Sequence, residues 1–154
     1  MNNKYSGAFL DAFVSVLSMF GVENAKLVSE DEYGSHLNVN GVVCIVGVIG
    51  DLQGNVIFSC DEGCAKTVVS YMMGGMEIAE FDEMAQSAVS ELGNMLAANA
   101  CMGLAQMDVQ ADISTPTLMH GVFTVTASYD HVTCLDMDIN GQSFKIFISL
   151  EPRK

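Results

Sequence analysis

Hydrophobic residues recur along this chain with two different periods, which predicts a protein built from both helices and strands. Apolar positions three and four residues apart predict helices over residues 6–20, 62–73 and 83–105. Short apolar or alternating runs predict strands over residues 36–50, 55–60 and 122–129. The run over 36–50 is rich in valine and isoleucine, which is typical of a strand buried in a sheet.

Local signals mark where these elements begin and end. Asp61 and Asp82 precede the second and third helices, where an aspartate side chain can accept a hydrogen bond from a free backbone N–H. Gly74-Gly75 is expected to end the second helix, and residues 51–54 are expected to form the turn between the first two strands. Asn140-Gly141 separates two alternating apolar runs and predicts a two-residue β-hairpin, because both turn positions need a positive φ.

The order of these elements predicts the architecture. A helix, a hairpin and a helix are followed by a helix, a strand and a hairpin, which indicates two similar halves folded together. Strands that alternate with helices and form hairpins favour an antiparallel sheet covered by long helices. With no linker or low-complexity segment in view, we predict one α+β domain over residues 1–154, with pseudo-duplicated halves.

The charge of the chain restricts its partners. The 154 residues include 19 acidic and 6 basic ones, so the formal net charge is −13, and a nucleic-acid partner is not expected because phosphate binding needs a basic surface. No apolar run approaches the ~20 residues of a membrane span. The first residues lack the pattern of a signal peptide, so no membrane association and a cytoplasmic location are expected.

Five cysteines are an odd number, and their spacings do not match those of zinc sites. In a cytoplasmic protein they are expected to be free thiols, and we predict no metal site in this chain. No lysine or arginine lies between Thr67 and Phe144, a stretch that holds ten acidic residues and the third helix. If this helix acts on a phosphorylated group, the neutralising cation has to come from a partner.

The candidate chemistry lies in the third helix, where Glu91 and Asn94 are three residues apart and so project from the same side. Together with Ser87 and Ala98 they form a stripe that points away from the apolar residues of the helix. We therefore expect both polar side chains to be exposed on a rigid element, where they can enter a partner together. Spacing alone leaves a second interpretation open, since a solvated helix face would look the same.

Ser87-x-x-x-Glu91-x-x-Asn94, followed by Pro116, resembles the signature of the CheC, CheX and FliY family of bacterial chemotaxis phosphatases. Residues 71–76, 91–95 and 112–116 are similar to CheX in particular. CheC and FliY carry a Glu-x-x-Asn pair in each half, whereas the first helix of this chain has none. One pair per chain is the arrangement that resembles CheX.

The resemblance implies a phosphatase that removes phosphate from the aspartate of a CheY-like response regulator. Glu91 would pair with the active-site lysine of the receiver domain, and Asn94 would orient a water for in-line attack. Ser87, Ala98 and Pro116 would lie at the partner-binding surface. Mg²⁺ would come with the receiver, this chain would carry no cofactor of its own, and two copies would form a homodimer. The alternatives are a non-catalytic module that docks a receiver or a flagellar-switch component, and an unrelated α+β protein whose motif is accidental.

Overall fold

A computed structural model describes residues 5–153, which form three helices and a seven-stranded sheet. The helices are α1 (Ser6–Met19), α2 (Glu62–Met72) and α3 (Glu83–Ala105). The strands are β1 (Lys26–Tyr33), β2 (His36–Gly50), β3 (Leu52–Cys60), β4 (Ala111–Ile113), β5 (Thr117–Thr126), β6 (Val132–Ile139) and β7 (Gln142–Pro152). All of the described strand pairs are antiparallel, which confirms the predicted α+β class.

The order of the strands shows how the two halves interlock. The sheet runs β1-β6-β7-β3-β2, and both β4 and β5 pair with the far side of β2. Strands β1, β2 and β3 of the first half correspond to β5, β6 and β7 of the second, with β3 and β7 side by side at the centre. Each half places its outer strand on the other half, so β1 pairs with β6 and β5 pairs with β2. This topology confirms the predicted pseudo-duplication.

The local signals in the sequence have the predicted roles. The Asp61 carboxylate accepts a hydrogen bond of 2.7 Å from a backbone N–H in the first turn of α2, and Asp82 does the same for α3 at 2.9 Å. Strand β6 joins β7 through Asn140 and Gly141, whose φ angles are 53° and 84°. Both are positive, as the hairpin turn requires.

The sheet differs from the prediction at its edges and at one turn. Strands β1 and β4 were not predicted, and β5 spans 117–126 instead of 122–129. Both β1 and β5 are outer strands with mostly exposed side chains, so they lack the apolar alternation that marks a half-buried strand. The turn predicted over 51–54 is a tighter bend at Asp51, because β3 already begins at the next residue.

The two faces of the sheet are buried by different elements. The helices pack on one face and form the main core with β2, β3, β6 and β7. A second, smaller cluster is buried on the opposite face, formed by Leu37, Val39, Val43, Ile57, Val125, Ala127, Val132, Cys134 and Phe147. The loop after β5 crosses this region, where Tyr129 N–H donates to the Ser149 hydroxyl at 2.9 Å.

Helix α3 lies close against the sheet at Gly93, a buried residue near its middle. A Cβ placed on Gly93 would lie 2.5 Å from Cys44 Sγ of β2 and 3.8 Å from the Phe58 ring of β3. Burial raises the pKa of the Cys44 thiol to about 11, so it packs here as a neutral group. A glycine inside a helix costs about 1 kcal/mol relative to alanine, and this close contact supplies a structural reason for it.

The other cysteines also serve as packing groups. All five are free thiols, and Cys101 alone among them is partly exposed. Burial raises the pKa of the Cys134 thiol to about 12, against a smaller opposing effect of Lys145.

Within residues 5–153, no helix combines the length and apolar character that a membrane span requires. The expected cytoplasmic location stays a prediction.

The contact at Gly93 predicts the effect of a substitution. Gly93→Ala should lower the free energy of unfolding by about 1–2 kcal/mol, because overpacking outweighs the gain in helix propensity. Cys44→Ala removes the obstructing sulfur, so the double variant should lose less stability than the two single losses added together. Denaturant unfolding of the three variants and the wild type measures this coupling. A Gly93→Ala protein as stable as the wild type would contradict the packing described here.

Candidate active site

Helix α3 holds the polar residues singled out in the sequence on one rigid element. It is 23 residues long, capped by Asp82, and packs against α1, α2 and strands β2, β4 and β5. Its buried side consists mainly of alanine, leucine and valine, so its polar side is left facing outward. Ser87 and Glu91 are exposed, as predicted, while Asn94 is half-buried.

A second wall of the site comes from the segment that joins β4 to β5. Ile113, Pro116 and Leu118 are half-buried there, facing α3 across a gap. Ser114 fastens this segment to the sheet, because its backbone N–H donates to the Gly47 carbonyl at 2.9 Å and its hydroxyl accepts from the Gly47 N–H at 2.8 Å. This wall explains why Asn94 is less exposed than the helix pattern alone predicted.

Between the helix and this wall lies an open groove of about 850 Å³. It is lined by Glu83, Gln86, Ser87, Ser90, Glu91, Asn94, Ile113, Ser114, Thr115, Pro116 and Leu118. The groove therefore brings together four of the five site residues predicted from the sequence. The fifth, Ala98, is exposed one turn beyond Asn94 and lies outside the lining.

The groove also contains residues that were not predicted from the sequence to belong to the site. Glu83, Gln86 and Ser90 line the groove from α3. The available signal was spacing, since Glu83 is four residues before Ser87, Ser90 is four before Asn94, and Gln86 is four before Ser90. Ser114 and Thr115 precede Pro116 directly, but only the fold shows that they face the helix.

The charge of the groove is negative. Glu83 and Glu91 contribute carboxylates, and none of the residues that line the groove is basic. No hydrogen bond or ion pair among residues 5–153 engages the side chains of Glu91 or Asn94. The carboxylate can therefore pair with a cation from outside, and the amide can both donate and accept hydrogen bonds.

The described part of the chain has no group of three or more histidine, cysteine, aspartate and glutamate side chains arranged to hold a metal ion. The groove also lacks the pairing of a serine or cysteine nucleophile with a histidine base. Among its polar groups, the Glu91 carboxylate and the Asn94 amide are fixed about 5–6 Å apart at their Cβ atoms by helix geometry. Such a pair is suited to binding a polar partner and orienting a small molecule within it.

Residues 42–138 match the family described as chemotaxis phosphatase CheX. That range includes every residue that lines the groove. The chain belongs to this CheX family. It is 34% identical over 119 residues to the CheY-P phosphatase CheX of Thermotoga maritima, a match that covers 76% of this chain and 77% of the relative.

Solved structures of CheX proteins have the same fold. The chemotaxis protein CheX of Desulfovibrio desulfuricans has a TM-score of 0.86 at 23% identity, covering 97% of this chain and 100% of that one. The CheX–CheY–BeF₃–Mg²⁺ complex of Borrelia burgdorferi has a TM-score of 0.76 at 25% identity, covering 97% of this chain and 99% of the other.

Helix α1 is the counterpart of α3 in the first half of this CheX-family fold, and it differs in its polar side. It contains neither glutamate nor asparagine, and the residues exposed along it include Asp11, Val14 and Ser15. The pseudo-duplication of the backbone is therefore not accompanied by a second Glu-x-x-Asn pair.

Proposed function

We propose that this protein hydrolyses the phospho-aspartate of a CheY-like response regulator. The observation that carries the proposal is that Glu91 and Asn94 lie together on one wall of an open, acidic groove. Membership of the CheX family supports it, as does the relative from Thermotoga maritima, which is named as a CheY-P phosphatase.

The partner is proposed to be a receiver domain that carries its own metal. The Borrelia burgdorferi complex contains CheX together with CheY, BeF₃ and Mg²⁺. BeF₃ is a chemical mimic of a phosphoryl group, so that complex resembles the encounter proposed here. A receiver supplies the lysine and the Mg²⁺ that this acidic groove lacks.

In the proposed mechanism, Glu91 anchors the complex and Asn94 positions the nucleophile. The Glu91 carboxylate pairs with the active-site lysine of the receiver, which brings the Asn94 amide beside the phospho-aspartate. The amide orients a water so that its oxygen attacks phosphorus in line with the bond to the aspartate. The aspartate carboxylate leaves, and inorganic phosphate and free receiver are the products.

The contribution of Asn94 is one of orientation, because an amide is too weak a base to deprotonate water. Holding a water in the geometry of attack replaces a costly ordering step in the transition state. The developing charge on the phosphoryl oxygens is met by the receiver's lysine and Mg²⁺. A helix that carries acidic residues and no lysine or arginine can therefore act in a phosphatase.

Three further residues complete the proposed partner-binding surface. Ser87 lies one turn before Glu91 on the same wall, and Pro116 shapes the wall opposite. Ala98 lies one turn beyond Asn94, where its small exposed side chain leaves room for the receiver outside the groove.

A homodimer is also proposed, and strand β5 offers a surface for it. Thr117–Thr126 is an outer strand without lysine, arginine, aspartate or glutamate, and its Val122 is 81% exposed. An uncharged, apolar edge of this length favours pairing with another strand. Sedimentation equilibrium of the purified protein distinguishes one copy from two.

Substitution of Asn94 separates catalysis from binding. Asn94→Ala should reduce the accelerated decay of a phospho-receiver by about 100-fold, because the water loses its orientation. The free energy of unfolding should change by less than about 0.5 kcal/mol. Asn99→Ala is the matched control, since Asn99 lies on the same helix outside the groove. A wild-type protein that binds the phospho-receiver without accelerating its decay would favour the non-catalytic docking module.

Reversing the charge of Glu91 tests the docking step. Glu91→Lys should weaken binding of a BeF₃-activated receiver by at least about 100-fold, because like charges placed together cost several kcal/mol. Raising the salt concentration should weaken the wild-type complex as exposed charges are screened. Glu77→Lys makes the same charge change at an exposed position outside the groove and should have a small effect. Equal binding by the wild type and the Glu91→Lys protein would place the docking surface elsewhere.

The source of the metal can be tested with the separate proteins. Calorimetry should detect stoichiometric Mg²⁺ binding to the receiver and none to this chain, since hard cations need several oxygen ligands in one place. Chelating Mg²⁺ should nonetheless abolish the accelerated decay, because the phosphoryl group loses its counter-charge. Tight binding of Mg²⁺ by this protein, lost on mutation of its own carboxylates, would indicate a metallophosphatase of another kind.

A further inference from the structure

The wall that faces α3 depends on the Ser114 side chain. Ser114 completes the hydrogen bonding of the sheet at the point where the backbone departs from regular strand pairing. Strand β4 ends at Ile113 and β5 begins at Thr117, and both pair with β2. Ser114 lies in the break between them, opposite Gly47. The backbone N–H of Ser114 continues the ladder by donating to the Gly47 carbonyl at 2.9 Å.

The Ser114 hydroxyl takes the place of the missing backbone acceptor. It accepts a hydrogen bond of 2.8 Å from the Gly47 N–H and donates one of 3.3 Å to the Thr115 carbonyl. The contact is tight, because a Cβ placed on Gly47 would lie 3.1 Å from Ser114 Oγ. The hydroxyl thus holds the segment to β2 at the point where Thr115 and Pro116 turn toward the groove.

We infer that Ser114 is a positioning residue for the dephosphorylation reaction, an assignment that rests on the proposed function. Through Thr115 and Pro116, its hydroxyl sets the distance between the second wall and Asn94. That distance decides how the phosphorylated pocket of the receiver sits against the amide. A displacement of about 1 Å in such a geometry is enough to cost about 100-fold in rate.

The assignment predicts a separation between turnover and binding. Ser114→Ala should lower the decay rate at saturating phospho-receiver by about tenfold, because one hydrogen bond that holds the wall is lost. The half-saturating receiver concentration should change by less than about twofold, since the Glu91 anchor is intact. Ser114→Thr keeps the hydroxyl and should restore the rate. A purely structural role would lower the melting temperature without this selective loss of turnover.

Two further variants show whether the effect belongs to this contact. Gly47→Ala crowds the Ser114 hydroxyl and should mimic Ser114→Ala, and combining the two should add little to either. Ser143→Ala is the matched control. The Ser143 hydroxyl also links two strands, β7 and β6, through a hydrogen bond of 2.5 Å to the Asp136 carboxylate, but it lies outside the groove. Its loss should leave turnover unchanged.

Hydrogen exchange of the Gly47 amide provides a readout that does not depend on activity. The amide should be protected in the wild type and the Ser114→Thr variant, and should exchange faster in Ser114→Ala. Full turnover by Ser114→Ala, or additive effects of Gly47→Ala and Ser114→Ala, would overturn the assignment while leaving the proposed function in place. A wild-type protein that neither accelerates decay nor binds phospho-receiver would overturn the proposed function, and this assignment with it.

Discussion

The contact between helix α3 and strand β2 at Gly93 and Cys44 determines the position of the polar side of the helix relative to the sheet. The buried face of α3 has a glycine at this contact, so the helix lies against the sheet at a distance that a single added carbon would disturb. Residues 91 and 94 flank that contact on the same helix. The opposite wall is attached to β2 through the hydrogen bond at Gly47. Strand β2 therefore fixes the positions of both walls of the groove.

The charge distribution of the groove requires its proposed partner to supply the cations. Among residues 83–118, which contain the whole lining, there are carboxylates and no lysine or arginine. A phosphorylated aspartate would be repelled by such a surface unless a lysine and a divalent ion came with it. The acidic groove thereby favours a receiver that carries its own cations over a free phosphate ester, which is a basis for specificity as well as for catalysis.

Sequence patterns were sufficient to predict the elements that are amphipathic or capped, and insufficient to predict the other elements. The period of α3, its cap at Asp82 and the Asn140-Gly141 turn are encoded by adjacent residues, and the structure has them as predicted. Strand β1 was missed because an exposed outer strand has no apolar alternation to detect. The Ser114 contact depends on Gly47, which lies 67 residues away, and such a pairing exists only in the folded chain.

The proposed mechanism is tested most directly by the structure of a complex between this protein and a BeF₃-activated, Mg²⁺-bound receiver. In that complex the receiver's phosphorylation pocket should enter the groove, with the Glu91 carboxylate on its lysine. The Asn94 amide should lie within hydrogen-bond distance of a water in line with the beryllium–aspartate bond. A complex in which the receiver binds another face and leaves this groove open to solvent would show that the mechanism is wrong.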